Sequence, residues 1–246
     1  VIIPAFGTTL DIEQKLISKG ISVEKYNTTC PFVEKVWNRG EQIARKGFSI
    51  IIHGKPKHEE TRATFSHAAL HTPTVVVNDM FETKRLALYI TQKEPKENFY
   101  TEFKGKFSEG FDVEKDLQKI GVINQTTQLA TDTQAISDFL KQTIIEQYNL
   151  TDNTIQERFA DTRDTLCYAT NDNQTAVNEM LNTQADIAFI VGGSRNLVFA
   201  FAKGIMIHWN ITFLTRHIKQ CSHWPQIYSN CGIRTILIQH VVFIFL

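Results

Sequence analysis

Short apolar runs that alternate with helical patterns are the feature that most constrains the fold of this chain. Strand-like runs cover 48–53, 74–77, 119–123 and 187–191, whereas 131–148 carries apolar residues at helical spacing. Parallel strands need long crossover connections, usually helices, so this alternation predicts α/β layers built on parallel sheets. With 246 residues, 42% of them hydrophobic, the chain can bury one large or two to three small domains.

Capping residues and turn signals supply the remaining elements. Thr131 or Asp132 is expected to cap the long amphipathic helix, and Pro31 suits the first position of an earlier one. The other predicted elements are strands over 1–4 and 21–26, helices over 9–19, 31–47, 80–92 and 171–181, and a charged, partly helical connector over 93–110.

The acidic residues are distributed unevenly along the chain. The 26 acidic and 26 basic residues balance overall, which gives no electrostatic footprint for nucleic acid or an anionic membrane. Residues 194–246 nevertheless contain no Asp or Glu, where average composition would place about six. We interpret this tail as a non-homologous extension produced by a shift of reading frame. The alternative is a genuine interaction tail that buries its Ile and Phe side chains against a partner.

The cysteine content favours a reducing, cytoplasmic compartment. Four cysteines, Cys30, Cys167, Cys221 and Cys231, are too few and too scattered for a disulfide scaffold. The sequence has neither a signal-like leader nor a run of about 18 apolar residues, which disfavours secretion and membrane spanning. Because the chain opens on a strand without an initiator Met, we expect the natural chain to begin earlier.

Polar clusters follow the predicted strands and form a candidate site. The clusters are 27–30, 58–60, 124–127 and 167–170, and ligands in open α/β folds bind outside the carboxyl ends of parallel strands. Cys30 and Cys167 each precede a predicted helix, where free N–H groups stabilise the thiolate that binds metal. The alternative for Cys30 is a small buried side chain.

The second and third clusters carry candidate proton donors and hydrogen-bond donors. His58 could bind anionic oxygen while Glu60 delivers a proton, although a solvated helix start is the alternative. A zinc-binding HExxH motif is excluded, because Arg62 occupies the position of its second histidine. Thr126 and Thr127 are candidate hydroxyl donors or ordinary turn residues.

Four motifs, in this order, resemble one redox family. They are Thr28-Thr29-Cys30-Pro31, His53-Gly54 with His58 and Glu60, Asn124-Gln125-Thr126-Thr127, and Cys167 with Ala169-Thr170. Together they resemble the 4-hydroxy-3-methylbut-2-enyl diphosphate reductase family, IspH or LytB, over residues 1–193. Pro4-Ala5-Phe6-Gly7 is similar to one branch of that family, whereas many other members have Ala-His-Gly and a phosphate-binding His there.

The resemblance implies an iron–sulfur oxidoreductase of the non-mevalonate (MEP) route of isoprenoid biosynthesis. An allylic diphosphate would lose its hydroxyl with two electrons and two protons, which gives isopentenyl and dimethylallyl diphosphates. The implied fold is three small α/β lobes around a central [4Fe-4S] cluster. Its parts here would be 1–22, 23–150 and 151–193, followed by the tail 194–246. The implied partner is an electron donor of the ferredoxin or flavodoxin type. Neither nucleic acid nor a membrane is expected as a partner.

The resemblance also assigns roles to individual residues. It implies that Cys30 and Cys167 bind the cluster, His58 binds the diphosphate, Glu60 donates a proton, and Thr126 and, less strongly, Thr127 orient the substrate alcohol. The third cluster cysteine of the family would lie upstream of Val1.

Two features of this sequence depart from the family pattern. Ser194-Arg195-Asn196 stands where the family has a Ser-Ser-Asn run, and Cys221 and Cys231 match no family ligand. The alternative function is a non-catalytic α/β remnant or interaction protein without a functional cluster.

Overall fold

The computed structural model describes residues 1–160, 167, 172–176, 179, 188–191, 235–238 and 241–245. The chain divides into two compact units, Val1–Asn171 and Asp172–Leu246. The strands of the first unit are β1 (Ser49–His53), β2 (Thr74–Val77), β3 (Ile120–Asn124) and β4 (Phe159–Ala160). Its helices are α1 (Leu10–Ser18), α2 (Val23–Tyr26), α3 (Pro31–Arg45), α4 (Glu59–Ala69), α5 (Met80–Ile90), α6 (Lys96–Glu102), α7 (Val113–Asp116) and α8 (Ala130–Tyr148), with a 3₁₀ turn at Ile155–Glu157.

A four-stranded parallel sheet organises the first unit. Its strand order is β2-β1-β3-β4, and every neighbouring pair is parallel. His53 at the end of β1 is level with Val77 of β2 and with Asn124 of β3, so the three strands end together. The prediction of α/β layers around a parallel sheet is confirmed.

The two faces of the sheet pack against different helices, because successive side chains of a strand point to opposite faces. On one face, Ile51 and Val122 belong to an apolar cluster with Leu86 of α5, Phe99 of α6 and Leu140 of α8. On the other, Ile50, Ile52 and Ile123 pack with Val36 and Ile43 of α3. Burial on both faces explains why the strands are continuous apolar runs.

Phe99 is the centre of an aromatic cluster that anchors the predicted charged connector. Its ring stacks on Phe103 at 4.9 Å and on Phe111 at 5.4 Å between centroids, and Tyr89 meets it edge-on at 5.4 Å. The connector is therefore held by buried rings, although charged residues dominate its surface. Its predicted helical character is confirmed by α6.

Three local predictions are wrong, namely the strands over 21–26 and 1–4 and the cap of α8. Residues 21–26 do not form a strand, because the Ser22 hydroxyl accepts a hydrogen bond from the Lys25 N–H and caps the short helix α2. Ile3 makes only an isolated parallel bridge with Asn27. Neither Thr131 nor Asp132 caps α8, whose N-cap position is Leu129 without a side-chain hydrogen bond.

The second unit contains a three-stranded antiparallel sheet. Its strands are β5 (Ala188–Val191), β6 (Thr235–Ile238) and β7 (Val241–Phe245), in the order β5-β7-β6. The strand predicted over 187–191 is confirmed. Residues 172–176 and 179 of the helix predicted over 171–181 are helical, and its other residues lie outside the described part of the chain. The interpretation of 194–246 as a non-homologous tail stays a prediction. Among the helices that the structure describes, none is both long and apolar enough to span a membrane.

Two glycines at the interface between α3 and the sheet offer a test of its packing. A Cβ at Gly121 would lie 2.8 Å from Ile43 Cγ2 and 3.0 Å from Ala160 Cβ. We expect Gly121→Ala to lower the free energy of unfolding by about 1–3 kcal/mol through overpacking.

Gly40 provides the matched control for this substitution. It lies within α3, where an added Cβ would make ordinary contacts at 3.4 Å with Ile50 and 3.6 Å with Ile123. Gly40→Ala should raise the free energy of unfolding by about 0.5–1 kcal/mol, because alanine loses less backbone entropy in a helix. Urea unfolding of both variants measures the contrast, and equal effects of the two substitutions would contradict it.

Candidate functional site

Two of the predicted polar clusters meet at the carboxyl edge of the parallel sheet. The loop after β1 leads through His58 into α4, and the turn after β3 contains Gln125, Thr126 and Thr127. The Gln125 N–H donates to the His53 carbonyl oxygen at 2.8 Å, which keeps this turn beside the end of β1. The segments 58–60 and 124–127 therefore lie side by side, as expected. That they form one ligand site stays a prediction.

Glu60 is a buried carboxyl group in the first turn of α4. Only 3% of the residue is exposed, and its Oε1 accepts a hydrogen bond from the Thr126 N–H. Burial raises the pKa of Glu60, and the hydrogen bonds from the Thr126 backbone and hydroxyl partly offset this rise. A carboxyl group in this state can retain a proton that an exposed glutamate would lose, and so can act as an acid.

His58 caps α4 with its ring, and the residue is exposed. Its Nδ1 accepts a hydrogen bond from the Glu60 N–H at 3.2 Å, so the neutral ring carries its proton on Nε2. Partial desolvation and the Lys55 ammonium group lower the pKa of His58, while Glu59 opposes them. A neutral imidazole in this tautomer can donate its Nε2–H to an anionic oxygen.

Thr127 is joined to the same turn through its hydroxyl. The Thr127 Oγ1 accepts a hydrogen bond from the Gln125 Nε2 at 2.6 Å, and the residue is half-buried. Its hydroxyl proton can therefore still be donated to a ligand. Thr126 and Thr127 thus differ, because the first is engaged with Glu60 and the second with Gln125.

Cys30 occupies the N-cap position of α3 and has a free, half-buried thiol. Its backbone N–H donates to the Ala5 carbonyl oxygen at 2.8 Å. Phe6, which follows Ala5 in the chain, contacts the His58 ring edge-on, with 6.4 Å between the ring centroids. The turn Pro4–Gly7 therefore contacts both the Cys30 backbone and the predicted diphosphate-binding histidine.

Cys167 is also a free thiol and is half-buried. Two free thiols have the ligand chemistry that iron–sulfur clusters require, but they are only part of a ligand set. Within the described part of the chain, no group of three or more His, Cys, Asp or Glu side chains could hold a metal ion. The prediction that Cys30 and Cys167 share a cluster stays a prediction.

Sequence reasoning missed several buried polar residues around this edge. Gln125 is 1% exposed, and its amide oxygen accepts a hydrogen bond from the Thr61 hydroxyl at 2.9 Å. His53 is buried at the end of β1 with its Nδ1 2.9 Å from the Thr133 hydroxyl, and burial lowers its pKa. The sequence does carry a signal for these residues, because a polar residue at the end of a fully apolar strand is buried and needs a hydrogen-bond partner.

The chain is similar to known reductases over most of its length. The LytB protein family model matches residues 1–196. The 4-hydroxy-3-methylbut-2-enyl diphosphate reductase of Picosynechococcus sp. is 36% identical over 211 residues, which are 86% of this chain and 50% of that protein. The chloroplastic enzyme of that name from Botryococcus braunii is 38% identical over 199 residues, which are 78% of this chain and 38% of that protein.

A solved structure shares the fold. The E-1-hydroxy-2-methyl-but-2-enyl-4-diphosphate reductase from Plasmodium falciparum superposes with a TM-score of 0.52 at 20% identity, covering 82% of this chain and 51% of that one. At this identity the likeness concerns the fold alone. The chain spans about half the length of the first relatives it matches, 50% of the Picosynechococcus protein.

The raised pKa of Glu60 predicts a specific dependence of stability on pH. Because folding raises this pKa, the folded state loses stability as pH rises above the unfolded value and through the folded one. Glu60→Gln keeps an acceptor for the Thr126 N–H and removes the titration. We therefore expect the variant to gain stability over the parent chain as pH rises from about 4 to about 7.

Urea unfolding at several pH values measures this difference. Glu59→Gln on the same turn is the control, because Glu59 is exposed and pairs with Arg62 at 2.9 Å, so folding does not bury its charge. A Glu60→Gln stability difference that does not change between these pH values would contradict the assignment of Glu60 as a desolvated acid.

Proposed function

Since the chain belongs to the LytB protein family, we propose that it is part of a 4-hydroxy-3-methylbut-2-enyl diphosphate reductase of the non-mevalonate route. The observation that carries this proposal is the buried Glu60 carboxyl group, bound by Thr126 and placed beside the exposed ring of His58. The carboxyl edge of the sheet thus places an acid beside a hydrogen-bond donor for anionic oxygen, and the proposed reductase reaction needs both groups. We propose a cytoplasmic location for this function.

The overall reaction is a reductive dehydroxylation. The allylic carbon–oxygen bond of the substrate breaks, the hydroxyl leaves as water, and two electrons with two protons balance the change to isopentenyl or dimethylallyl diphosphate. The first proton goes to the leaving hydroxyl and the second to carbon. When bound, a [4Fe-4S] cluster supplies the electrons and a Lewis-acidic iron, and an external ferredoxin- or flavodoxin-type donor refills it.

We assign the proton for the leaving hydroxyl to Glu60. Its raised pKa favours the protonated acid before the reaction. After the proton leaves, the Thr126 N–H and hydroxyl stabilise the carboxylate that remains. The same two donors therefore affect the acid strength of Glu60 and stabilise the carboxylate that remains after it has given up its proton.

Substrate orientation would come from the neighbouring donors. The His58 Nε2–H would bind a diphosphate oxygen, because Nδ1 is occupied by the Glu60 N–H. The Thr126 hydroxyl, and less directly that of Thr127, would orient the substrate alcohol. Cys30, at the N-cap position of α3, and Cys167 would supply two thiolate ligands to the cluster.

Iron and sulfide content after anaerobic reconstitution of the full chain tests the cluster assignment. We expect Cys30→Ala and Cys167→Ala each to lose the bound iron and sulfide, because each removes a thiolate ligand. The control is the double variant Cys221→Ala with Cys231→Ala, which removes the two thiols that match no family ligand. A chain without stoichiometric cluster, or one indifferent to both substitutions, would favour a non-catalytic α/β remnant.

Binding of inorganic pyrophosphate tests the diphosphate site separately from the cluster. We expect His58→Ala to weaken the affinity about tenfold, the cost of losing one hydrogen bond to a charged group. His71→Ala is the control, since His71 is exposed beyond the carboxyl end of α4. Calorimetric titration gives both values, and equal affinities of the two variants would remove His58 from the proposed site.

A further inference from the structure

Gln125 is a buried hydrogen-bond hub beside the Glu60–Thr126 pair. Its Oε1 accepts from the Lys55 N–H at 3.1 Å, the Thr61 hydroxyl at 2.9 Å and the Gln128 Nε2 at 3.1 Å. Its Nε2 donates to the Thr127 hydroxyl at 2.6 Å. One amide thus joins the loop after β1, helix α4 and the turn after β3.

Two adjacent links connect α4 to the turn after β3. The first link is the hydrogen bond between Glu60 and Thr126. The second joins their sequence neighbours, since the Thr61 hydroxyl donates to the Gln125 amide oxygen. Thr61 is 1% exposed, so water does not replace this bond freely. Since neighbouring residues of a helix move together, the second link restricts how Glu60 can move relative to Thr126.

The loop after β1 is shaped around this second link. A Cβ at Gly54 would lie 2.7 Å from the Thr61 Oγ1 and 3.0 Å from the Gln125 Cβ. Only glycine leaves room for the loop to approach both side chains. The Gly54 N–H donates to the Val77 carbonyl oxygen at 3.0 Å, which fixes the loop against β2.

We infer that Thr61 is a positioning residue, which acts through Gln125 to hold the Thr126 donors against the Glu60 carboxylate. Its importance for proton delivery rests on the proposed function, whereas the positioning itself does not. Thr61 has no assigned contact with substrate or cluster. The hydroxyl sets the geometry of an acid that lies one residue away on the same helix.

The experiment compares the titration of Glu60 in Thr61→Val and in the parent chain, by carbon NMR of the carboxyl groups of the full chain. Glu60→Gln identifies the Glu60 signal. Valine keeps the shape of threonine and removes the hydroxyl, without changing any charge. We expect the proton affinity of the Glu60 carboxylate to rise about threefold or more, because donors that stabilise its charged form lose alignment.

Thr64→Val is the matched control on the same helix. Thr64 is also 1% exposed, and its hydroxyl accepts from the Trp37 indole N–H at 3.1 Å instead of contacting the turn after β3. We expect this variant to leave the Glu60 titration unchanged. Thr61→Ser restores the hydroxyl and should return the titration toward that of the parent chain.

A Glu60 titration that is the same in Thr61→Val, Thr64→Val and the parent chain would overturn the inference. If Thr61→Val does not fold, Thr61→Ala gives the same test, since it removes the same hydroxyl and leaves the other partners of Gln125 in place. The titration needs neither cluster nor substrate. A shifted titration in a chain that binds no iron would therefore support the positioning role while rejecting the reductase.

Discussion

The parallel pairing of β1 with β2 and β3 is the constraint on which the rest of the site depends. β1 is fully buried and hydrogen-bonded on both sides, and the register sets His53 level with Val77 and Asn124. Because the strands end together, the chain segments that follow them must leave from one edge. The α4 entry and the turn after β3 become neighbours through this register, although Glu60 and Thr126 are 66 residues apart in sequence.

The burial of Glu60 supports the proton donation that we propose for this edge, and it has a cost in stability. An ionised carboxylate loses solvation when buried, and two donors from one threonine compensate only in part. A buried leucine at this position would favour folding without offering a proton. The site therefore keeps a group that lowers stability at neutral pH, as is common for groups with perturbed pKa values in functional sites.

The parallel sheet and the main helices could be predicted from sequence, because apolar runs and helical spacing report burial on each face directly. The contact between 58–60 and 124–127 also followed, since strand ends in a parallel sheet share an edge. The helix α2 could not be predicted, because Val23 and Tyr26 favour strands by propensity and the Ser22 cap decides otherwise. The Thr61–Gln125 hydrogen bond could not be predicted from sequence, because it depends on the side-chain directions of two residues that are 64 positions apart.

Helix α4, which carries Glu60, also contacts the segment 5–10 near the start of the chain. Near its carboxyl end, Ser66 accepts from the Leu10 N–H at 3.0 Å, and His67 stacks on the Trp37 ring at 3.8 Å between centroids. At its amino end, His58 contacts Phe6, whose neighbour Ala5 accepts from the Cys30 N–H. Ala5 and Phe6, which are adjacent in the segment before α1, therefore contact the Cys30 backbone and the His58 ring respectively. One short segment thus contacts both the predicted diphosphate donor and the predicted cluster ligand, because consecutive residues of it meet His58 and Cys30.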